Sequence, residues 1–322
     1  MKAIRMHQVG GLEVLTYEDC PAPTPGPGEV LLNVQAIGVN FTDVYTRRGS
    51  TPPPNLPLIP GREAAGVVAA VGAGVTEVNV GDRVAYCSVT GSYSEQVAVP
   101  AHVLVKLPEE VDARAGAAVL LQGMTAHYLA HSTYPLKSGD TALIHAGAGG
   151  TGLLLIQIAK RAGATVFATV STEEKAALAK AAGADMTIIY TREDFEAAVK
   201  QASEGQGVQV VYDAVGQSTF DQSLKCLARR GCLVLYGQAS GPVPPVDPAR
   251  LQRGSLYLAR AGLGDYTADR EELEWRASEV FGWVASGELK LRIGGTFPLA
   301  EAAEAHRQLE SRLSTGKLLL IP

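Results

Sequence analysis

The chain has 322 residues, which is long for one compact domain, so its length predicts two domains. Hydrophobic residues make up 46% and charged residues 19% of the sequence, a balance that excludes extended disorder. The net charge of -5 argues against nucleic acid as the main partner. No apolar segment has the length of a membrane span or of a signal-peptide core, so we expect no membrane partner and a cytoplasmic location. The four cysteines form no CxxC pair, which predicts reduced thiols rather than disulfides or a thiolate zinc site.

Two different patterns divide the chain. Up to about Pro108, glycines and prolines interrupt the sequence every few residues, and short β-prone segments such as EVLLNVQAIGV (29–39) lie between them. From about Leu120 to Leu258, apolar strand segments alternate with amphipathic helices. The first pattern predicts a compact, mostly β unit, and the second predicts a doubly wound parallel sheet.

A glycine-rich turn connects the first strand of the second region to its first helix. The segment TALIHAGAGGTG (141–152) leads from an apolar strand through Gly147, Gly149 and Gly152, at GxGxxG spacing, into a helical segment. Such glycines allow a tight turn and a close approach of the backbone to a pyrophosphate at the helix N-terminus. The next strand, ATVFATV (164–170), follows at the spacing of a βα unit. The motif therefore predicts a dinucleotide site, and the alternative is a turn that binds nothing.

The end of the second strand indicates which nicotinamide cofactor binds. An Asp or Glu at this point binds the adenosine ribose and repels a 2'-phosphate. Here the strand ends in Thr169, Val170 and Ser171, and Lys175 follows one helical turn later. A hydroxyl and an ammonium favour the additional phosphate, so the sequence predicts NADPH over NADH; the alternative is that Lys175 is an ordinary solvated lysine. Ser171 and Glu174 have capping-box spacing, which predicts Ser171 as the helix N-cap.

The tail of the chain carries two helical segments and the short terminal strand GKLLLIP, and we expect it to fold back onto the N-terminal unit. Before the tail, SLYLARAGL (Ser255 to Leu263) is predicted to be the last strand of the second sheet. An unprotected apolar edge there favours pairing with a second copy. The sequence therefore predicts a homodimer through this edge.

Six motifs carry a resemblance to a known family: GVNFTDVYTRRG (38–49), PGREAAGVVAAVGAGV (60–75), GDRVAY (81–86), HAGAGGTG (145–152), VVYDAVG (210–216) and GSLYLAR (254–260). Over nearly its whole length the chain resembles the medium-chain dehydrogenase/reductase superfamily and its NADPH:quinone oxidoreductase (zeta-crystallin-like) branch. The resemblance implies an α/β fold with a GroES-like β domain, a Rossmann doubly wound parallel sheet and a catalytic cleft between them. It implies residues 1–119 for the N-terminal part of the catalytic domain, 120–259 for the Rossmann NADP-binding domain and 260–322 for a C-terminal return to the catalytic domain.

The resemblance also implies that no metal takes part. In the zinc alcohol dehydrogenases of the superfamily, a Cys, a His and a further Cys bind the catalytic metal, and the matching positions here are Asn40, Arg62 and Gln122. An arginine cannot bind zinc and neutral amides do not replace thiolates, so we expect this site to hold no metal. Without a Lewis acid, the expected chemistry is hydride transfer from NADPH to an electron-poor acceptor, such as a quinone or a conjugated carbonyl.

By the same resemblance, the expected site residues fall into groups along the cofactor. The nicotinamide end has Asn40, Phe41, Asp43, Tyr45, Gln122 and Thr125. The pyrophosphate turn has Gly147, Gly149, Gly150, Thr151 and Gly152, and the 2'-phosphate and adenine end has Ser171, Lys175 and Tyr190. The rest of the groove has Val215, Gly237, Gln238, Ala239 and Lys317. Core packing is the alternative role for Phe41 and Tyr45, a turn position for Asp43 and a cap hydroxyl for Thr125.

The hypothesis for catalysis is that Asn40, Tyr45 and Gln122 orient the acceptor and hydrogen-bond its carbonyl oxygen, with Tyr45 either donating a proton or only orienting. Other functions remain open. An enoyl-thioester or alkenal reductase uses the same fold and hydride donor, although the chain has no obvious basic cluster for a carrier phosphate. An NADPH-binding structural or regulatory protein without useful turnover is a second alternative. His145, which precedes the glycine turn, is expected to be a satisfied core histidine.

Overall fold

The computed structural model describes residues 1–51, 53 and 55–322. The strands, in chain order, are β1 (Lys2–Arg5), β2 (Thr16–Asp19), β3 (Glu29–Val39), β4 (Glu63–Val71), β5 (Arg83–Cys87), β6 (Gln96–Pro100), β7 (Val105–Lys106), β8 (Thr141–Ile144), β9 (Thr165–Val170), β10 (Met186–Ile189), β11 (Val208–Asp213), β12 (Leu227–Leu235), β13 (Tyr257–Ala259), β14 (Ile293–Pro298) and β15 (Lys317–Ile321). The helices are α1 (Phe41–Arg48), α2 (Ala113–Tyr128), α3 (Gly150–Arg161), α4 (Glu173–Ala181), α5 (Phe195–Ala202), α6 (Phe220–Cys226), α7 (Arg270–Ala285) and α8 (Ala302–Glu310). Among these described residues, no helix combines the length and the apolar character that crossing a membrane requires.

The chain divides into two compact units. The first unit comprises Met1–Gln122 and Thr267–Pro322, and the second unit comprises Gly123–Tyr266. The functional division predicted from the sequence, at 119/120 and 259/260, remains a prediction.

The first unit is built on a sheet with the strand order β14-β15-β3-β4-β5-β7, and β6 pairs with β3. Its longest strand, β3, alternates buried Val30, Leu32, Val34 and Ala36 with more exposed neighbours, the period of a strand with one face in the core. The C-terminal strand β15 pairs antiparallel with β3, where Leu319 lies opposite Gly38. The tail of the chain therefore completes the sheet of the first unit.

The second unit confirms the predicted parallel sheet. Its strands have the order β10-β9-β8-β11-β12-β13, and each neighbouring pair is parallel. The strand order reverses beside β8, because β9 follows it on one side and β11 lies on the other. In an open parallel sheet, ligands bind beyond the carboxyl ends of the strands at such a reversal. The glycine turn after β8 lies at this point.

Three local predictions differ from the structure. The N-cap of α4 is Thr172 rather than Ser171, because the Thr172 hydroxyl accepts the Lys175 N–H (3.2 Å), whereas the Ser171 carbonyl oxygen accepts from the Thr191 hydroxyl (2.9 Å). The last glycine of the motif, Gly152, lies inside the helix rather than before it, because α3 begins at Gly150 with Gly149 as N-cap. The predicted last strand, Ser255 to Leu263, is a strand only over β13, because Ser255 has a left-handed backbone (φ 52) and a 3₁₀ helix begins at Leu263.

Candidate active site

The glycine turn joins β8 to α3 in the second unit. The Gly149 N–H donates to the Ala146 carbonyl oxygen (2.9 Å), which closes the turn, and the Gly147 N–H donates to the Thr169 carbonyl oxygen (3.0 Å), which ties it to the end of β9. A Cβ at Gly152 would lie 2.3 Å from the Ala146 carbonyl oxygen, so a side chain there would push the turn away from the helix. The predicted residues Gly147, Gly149, Gly150, Thr151 and Gly152 thus form one strand-turn-helix corner, whose helix N-terminus offers amide donors to an anion.

The end of β9 brings together the three residues predicted for the adenosine end. Ser171 follows β9, Lys175 lies in the first turn of α4, and the Tyr190 N–H donates to the Val170 carbonyl oxygen (3.1 Å). Partial burial lowers the pKa of Lys175, and the negative charge of Glu174 opposes that shift. Tyr190 is 42% exposed. A hydroxyl, an ammonium and a phenol therefore surround this strand end, and no carboxylate lies on residues 169–171.

The loops after β11 and β12 bring together the next predicted group, Val215, Gly237, Gln238 and Ala239. The Ala239 N–H donates to the Ala214 carbonyl oxygen (3.1 Å), and the Gly237 N–H to the carbonyl oxygen of Asp213 (3.3 Å). The Asp213 carboxylate accepts the N–H of Val215 (2.8 Å). These loops lie at the carboxyl ends of neighbouring parallel strands, as a dinucleotide site requires. Thr125, on α2 in this unit, is buried at 8% exposure.

In the first unit, Asn40 is the N-cap of α1 and is fixed by a buried ion pair. Its Nδ2 donates to the Gly38 carbonyl oxygen (3.2 Å) and to Glu63 Oε2 (2.8 Å), and its Oδ1 accepts from Lys317 Nζ (2.8 Å). Lys317 Nζ also donates to Glu63 Oε2 (2.5 Å), while Glu63 Oε1 accepts the Leu121 N–H (2.7 Å). Glu63 is fully buried and Lys317 is 2% exposed. The predicted Lys317 therefore contacts the predicted Asn40 directly.

This arrangement fixes the orientation of the Asn40 amide. An ammonium only donates and a carboxylate only accepts, so the two charged partners fix which amide atom is oxygen and which is nitrogen. Both N–H groups of the amide already have acceptors, and the side chain accepts from Lys317 Nζ and from the backbone N–H of Asp43 in a capping box. The predicted contact of Asn40 with the carbonyl oxygen of a substrate stays a prediction.

Asp43 lies in a second buried polar group of the first unit. Its Oδ2 accepts the Asn40 backbone N–H (2.9 Å) and the hydroxyl of Tyr93 (3.1 Å), and the Tyr93 oxygen also lies 2.9 Å from His306 Nε2. Burial raises the pKa of Asp43 to about 6, while the hydrogen bond from Asn40 opposes the shift. Burial, helped by the positive charge of Arg47, lowers the pKa of His306 to about 3. Asp43 thus fixes the start of α1 rather than occupying a simple turn.

The remaining predicted residues of the first unit have different surroundings. Phe41 and Tyr45 lie one turn apart on α1, with ring centroids 6.1 Å apart, and both are half-buried. Gln122 Oε1 is buried and accepts no hydrogen bond from the part of the chain that the structure describes. Arg62 Nη2 donates to the Ser88 carbonyl oxygen (2.8 Å), which holds its guanidinium at the backbone.

Sequence reasoning missed Glu63, Tyr93 and His306. The signal for Glu63 was present, because a carboxylate directly precedes the apolar segment AAGVVAAV, where a buried charge needs a partner. Tyr93 and His306 carry no comparable signal, since their pairing depends on residues 213 positions apart in the chain.

The comparisons with known proteins agree with this architecture. Residues 26–109 match the family described as alcohol dehydrogenase GroES-like domain, and residues 150–279 match the family described as zinc-binding dehydrogenase. A quinone oxidoreductase of Pseudomonas aeruginosa is 46% identical over 100% of this chain and 99% of its own. A 2-haloacrylate reductase of a Burkholderia species is 42% identical over 98% of each chain.

Among solved structures, the quinone oxidoreductase of Escherichia coli complexed with NADPH is 41% identical, covers 100% of both chains and superposes with a TM-score of 0.98. The predicted combination of a GroES-like domain and a Rossmann-type parallel sheet is therefore confirmed. With full-length identity of 46% to a quinone oxidoreductase, the chain belongs to the medium-chain dehydrogenase/reductase superfamily and, within it, to the quinone oxidoreductase branch.

Proposed function

We propose that this protein transfers a hydride from NADPH to a quinone or a similar conjugated carbonyl acceptor. The observation that carries the proposal is the end of β9, where Ser171 and Lys175 lie beside a glycine corner and residues 169–171 carry no carboxylate. This is a Rossmann-type site suited to a 2'-phosphate. The quinone oxidoreductase relatives, one of them solved with NADPH, support the same conclusion.

Different groups of residues are proposed to bind different parts of the cofactor. The amides of the glycine corner bind the pyrophosphate, and Ser171, Lys175 and Tyr190 bind the 2'-phosphate and the adenine. The proposed contacts along the rest of the groove and at the nicotinamide are Val215, Gly237, Gln238, Ala239, Thr125, Phe41, Asp43 and Lys317. When bound, the cofactor supplies the hydride; the protein supplies position and hydrogen bonds.

Charge reversal at the adenosine end tests the cofactor preference. Lys175→Glu places a carboxylate where the 2'-phosphate is proposed to bind, so we expect the Kd for NADPH to rise at least about tenfold while the Kd for NADH changes little. Lys180→Glu, at an exposed position of the same helix, is the matched control and is expected to change neither constant. Tighter binding of NADH than of NADPH by the unmodified protein would refute the preference.

The second proposal is that catalysis needs no zinc, although one matched family is described as zinc-binding. Asn40 Oδ1 already faces the Lys317 ammonium, which repels a cation, and Arg62 presents a guanidinium rather than a ligand. These residues do not fit a catalytic zinc ion. Treatment with a strong chelator followed by desalting should leave the rate of NADPH oxidation unchanged, and restoration of a lost rate by zinc would refute the proposal.

The acceptor's oxygen needs hydrogen-bond donors other than Asn40. We assign this role to Tyr45 and Gln122, because both N–H groups of Asn40 are occupied, whereas the Tyr45 hydroxyl and the Gln122 NH2 group are donors by their chemistry. Tyr45→Phe tests the donor role: we expect a loss of kcat at saturating NADPH, and full turnover would eliminate Tyr45 as the proton donor.

A reductase of halogenated or other unsaturated carbonyl compounds is the second candidate. The 42% identical 2-haloacrylate reductase favours it, and the enoyl-thioester and alkenal reductases share the same hydride donor. A screen of NADPH oxidation on metal-stripped protein, across quinones, enals, enones and a 2-haloacrylate, separates these classes by kcat/KM. Stoichiometric NADPH binding without oxidation of any compound would indicate a structural or regulatory protein instead.

We also propose a homodimer formed through β13, in the cytoplasm. β13 lies at the end of its sheet and carries Tyr257 with 61% exposure, which supports pairing with a second copy. The proposed location rests on the sequence expectation of reduced thiols. Light scattering tests the dimer: Tyr257→Asp should give a monomer, whereas Leu313→Asp, at an exposed apolar residue outside that sheet, should not.

A further inference from the structure

A chain of four buried polar side chains runs through the second unit. Thr169 at the end of β9, His145 after β8, Ser223 on α6 and Asp213 at the end of β11 are between 0% and 1% exposed. His145 Nδ1 lies 2.8 Å from Thr169 Oγ1 and His145 Nε2 lies 2.9 Å from Ser223 Oγ. Ser223 Oγ in turn donates to Asp213 Oδ2 (3.1 Å). The expectation that His145 is a satisfied core histidine is confirmed, since it is fully buried and both its ring nitrogens have partners.

The hydrogen bonds among these four side chains all run in one direction, from Thr169 to His145 and from His145 through Ser223 to Asp213. Since the Ser223 hydroxyl donates its proton to Asp213, it accepts from His145 Nε2, which therefore carries the imidazole proton. His145 Nδ1 is then unprotonated and accepts a hydrogen bond from the Thr169 hydroxyl. Burial lowers the pKa of His145, which agrees with a neutral ring, although the charge of Asp213 opposes the shift. The Phe195 ring meets the imidazole edge-on at 4.9 Å and holds its plane.

Both ends of the chain are attached to the loops of the proposed cofactor site. At one end, the Thr169 carbonyl oxygen accepts the Gly147 N–H of the glycine corner (3.0 Å). At the other end, Asp213 Oδ1 accepts the N–H groups of Val215 (2.8 Å) and Gly216 (3.0 Å). The loop after β12 joins through the Val215 carbonyl oxygen, which accepts the Ser240 N–H (2.8 Å).

We propose that the Thr169–His145–Ser223–Asp213 chain positions the cofactor-binding loops of the second unit relative to one another, so that NADPH affinity depends on residues that do not touch the cofactor. The inference rests on the proposed NADPH function. Its physical basis is that hydrogen bonds of fixed length and direction transmit the position of one loop to the next, whereas an apolar core tolerates small shifts. The imidazole is the central link, and both its nitrogens are needed.

The test removes the hydroxyl that faces each of the two ring nitrogens of His145. Thr169→Val removes the donor to Nδ1, and Ser223→Ala removes the partner of Nε2. We expect each to raise the Kd for NADPH, measured by fluorescence titration, about tenfold, while kcat at saturating NADPH stays within about twofold. Because both act through His145, the double variant should resemble a single one, whereas independent local effects would multiply.

Two controls separate positioning from loss of stability. Tyr212→Phe removes a buried hydroxyl of the same unit that donates to the carbonyl oxygens of Leu129 (3.2 Å) and Tyr134 (3.3 Å), so it should lower the melting temperature and leave the Kd unchanged. Thr169→Ser keeps the hydroxyl and should keep the affinity. The proposal is overturned if Thr169→Val and Ser223→Ala leave the Kd within about twofold, if their effects multiply, or if Tyr212→Phe weakens binding equally. Failure of the unmodified protein to bind NADPH would instead refute the proposed function.

Discussion

Removal of the Lys317 ammonium should destabilise the first unit strongly. Lys317 is 2% exposed and Glu63 is fully buried, and Nζ lies 2.5 Å from Oε2, so water does not screen this pair. Breaking a buried pair by removing one partner costs about 3–5 kcal/mol, because the remaining charge is left uncompensated. We therefore expect Lys317→Met to lower the free energy of unfolding by that amount. The double variant with Glu63→Gln should recover at least about 2 kcal/mol, since no lone charge remains.

The assay can report on the first unit alone. The two tryptophans of the chain, Trp275 and Trp283, both lie on α7 in the first unit, so tryptophan fluorescence during urea unfolding follows that unit. Lys106→Met is the matched control: its ammonium pairs with Asp82 at 2.8 Å but is 55% exposed, so the loss should be much smaller. If Lys317→Met costs less than about 1 kcal/mol, the pair behaves as an exposed one, and the fixed orientation of the Asn40 amide is wrong.

Three further predictions concern single residues. Gly152→Ala should weaken NADPH binding more than about tenfold, because its Cβ would lie 2.3 Å from the Ala146 carbonyl oxygen. The control Gly282→Ala, whose Cβ would meet nothing within 4 Å, should instead raise the melting temperature. Unchanged NADPH affinity in Gly152→Ala would contradict the close packing of the turn. The pKa of His306 is lowered from 6.5 to about 3, so between these pH values the unfolded state binds more protons than the folded state. The free energy of unfolding should therefore fall as the pH drops, by about 3 kcal/mol at pH ~4. His306→Gln should flatten the fluorescence-monitored stability profile over this pH range. The pKa of Asp43 is raised from 3.8 to about 6, so the folded state binds more protons and stability should fall as the pH rises through that range, by about 3 kcal/mol; an unchanged profile in Asp43→Asn would contradict this assignment.

Local patterns predicted the second unit well because its elements depend on short segments. Apolar runs marked its strands, and the glycine spacing marked the corner after β8. The boundaries failed where two neighbours fit equally well: Ser171 and Thr172 are both capable N-caps, and only the backbone conformation selects Thr172. The length of β13 could not be predicted either, since pairing with β12 covers only Tyr257–Ala259 of an apolar segment that is longer.

The hydrogen bonds of the first unit depend on contacts that no local pattern records. Asn40 meets Glu63 across 23 positions of the chain and Lys317 across 277 positions. A sequence position matched to a metal ligand therefore indicates the residue type but not the direction in which its amide points. The resemblance pointed to Asn40, but its buried partners became known only from the fold, and its predicted role in catalysis stays a prediction.

The contacts of the Asn40 amide bear on the proposal that catalysis needs no zinc. In a zinc dehydrogenase the metal cation would polarise an alcohol, and thiolates would neutralise part of its charge. Here one buried ammonium and one buried carboxylate contact the same amide, so their two charges sum to zero. The proposed zinc-free site would leave the alkoxide of a simple alcohol without a stabilising cation, whereas an electron-poor acceptor needs only orientation and a few hydrogen bonds. The contacts of the lysine and the glutamate with Asn40 therefore support the proposed zinc-free transfer of hydride to a conjugated acceptor.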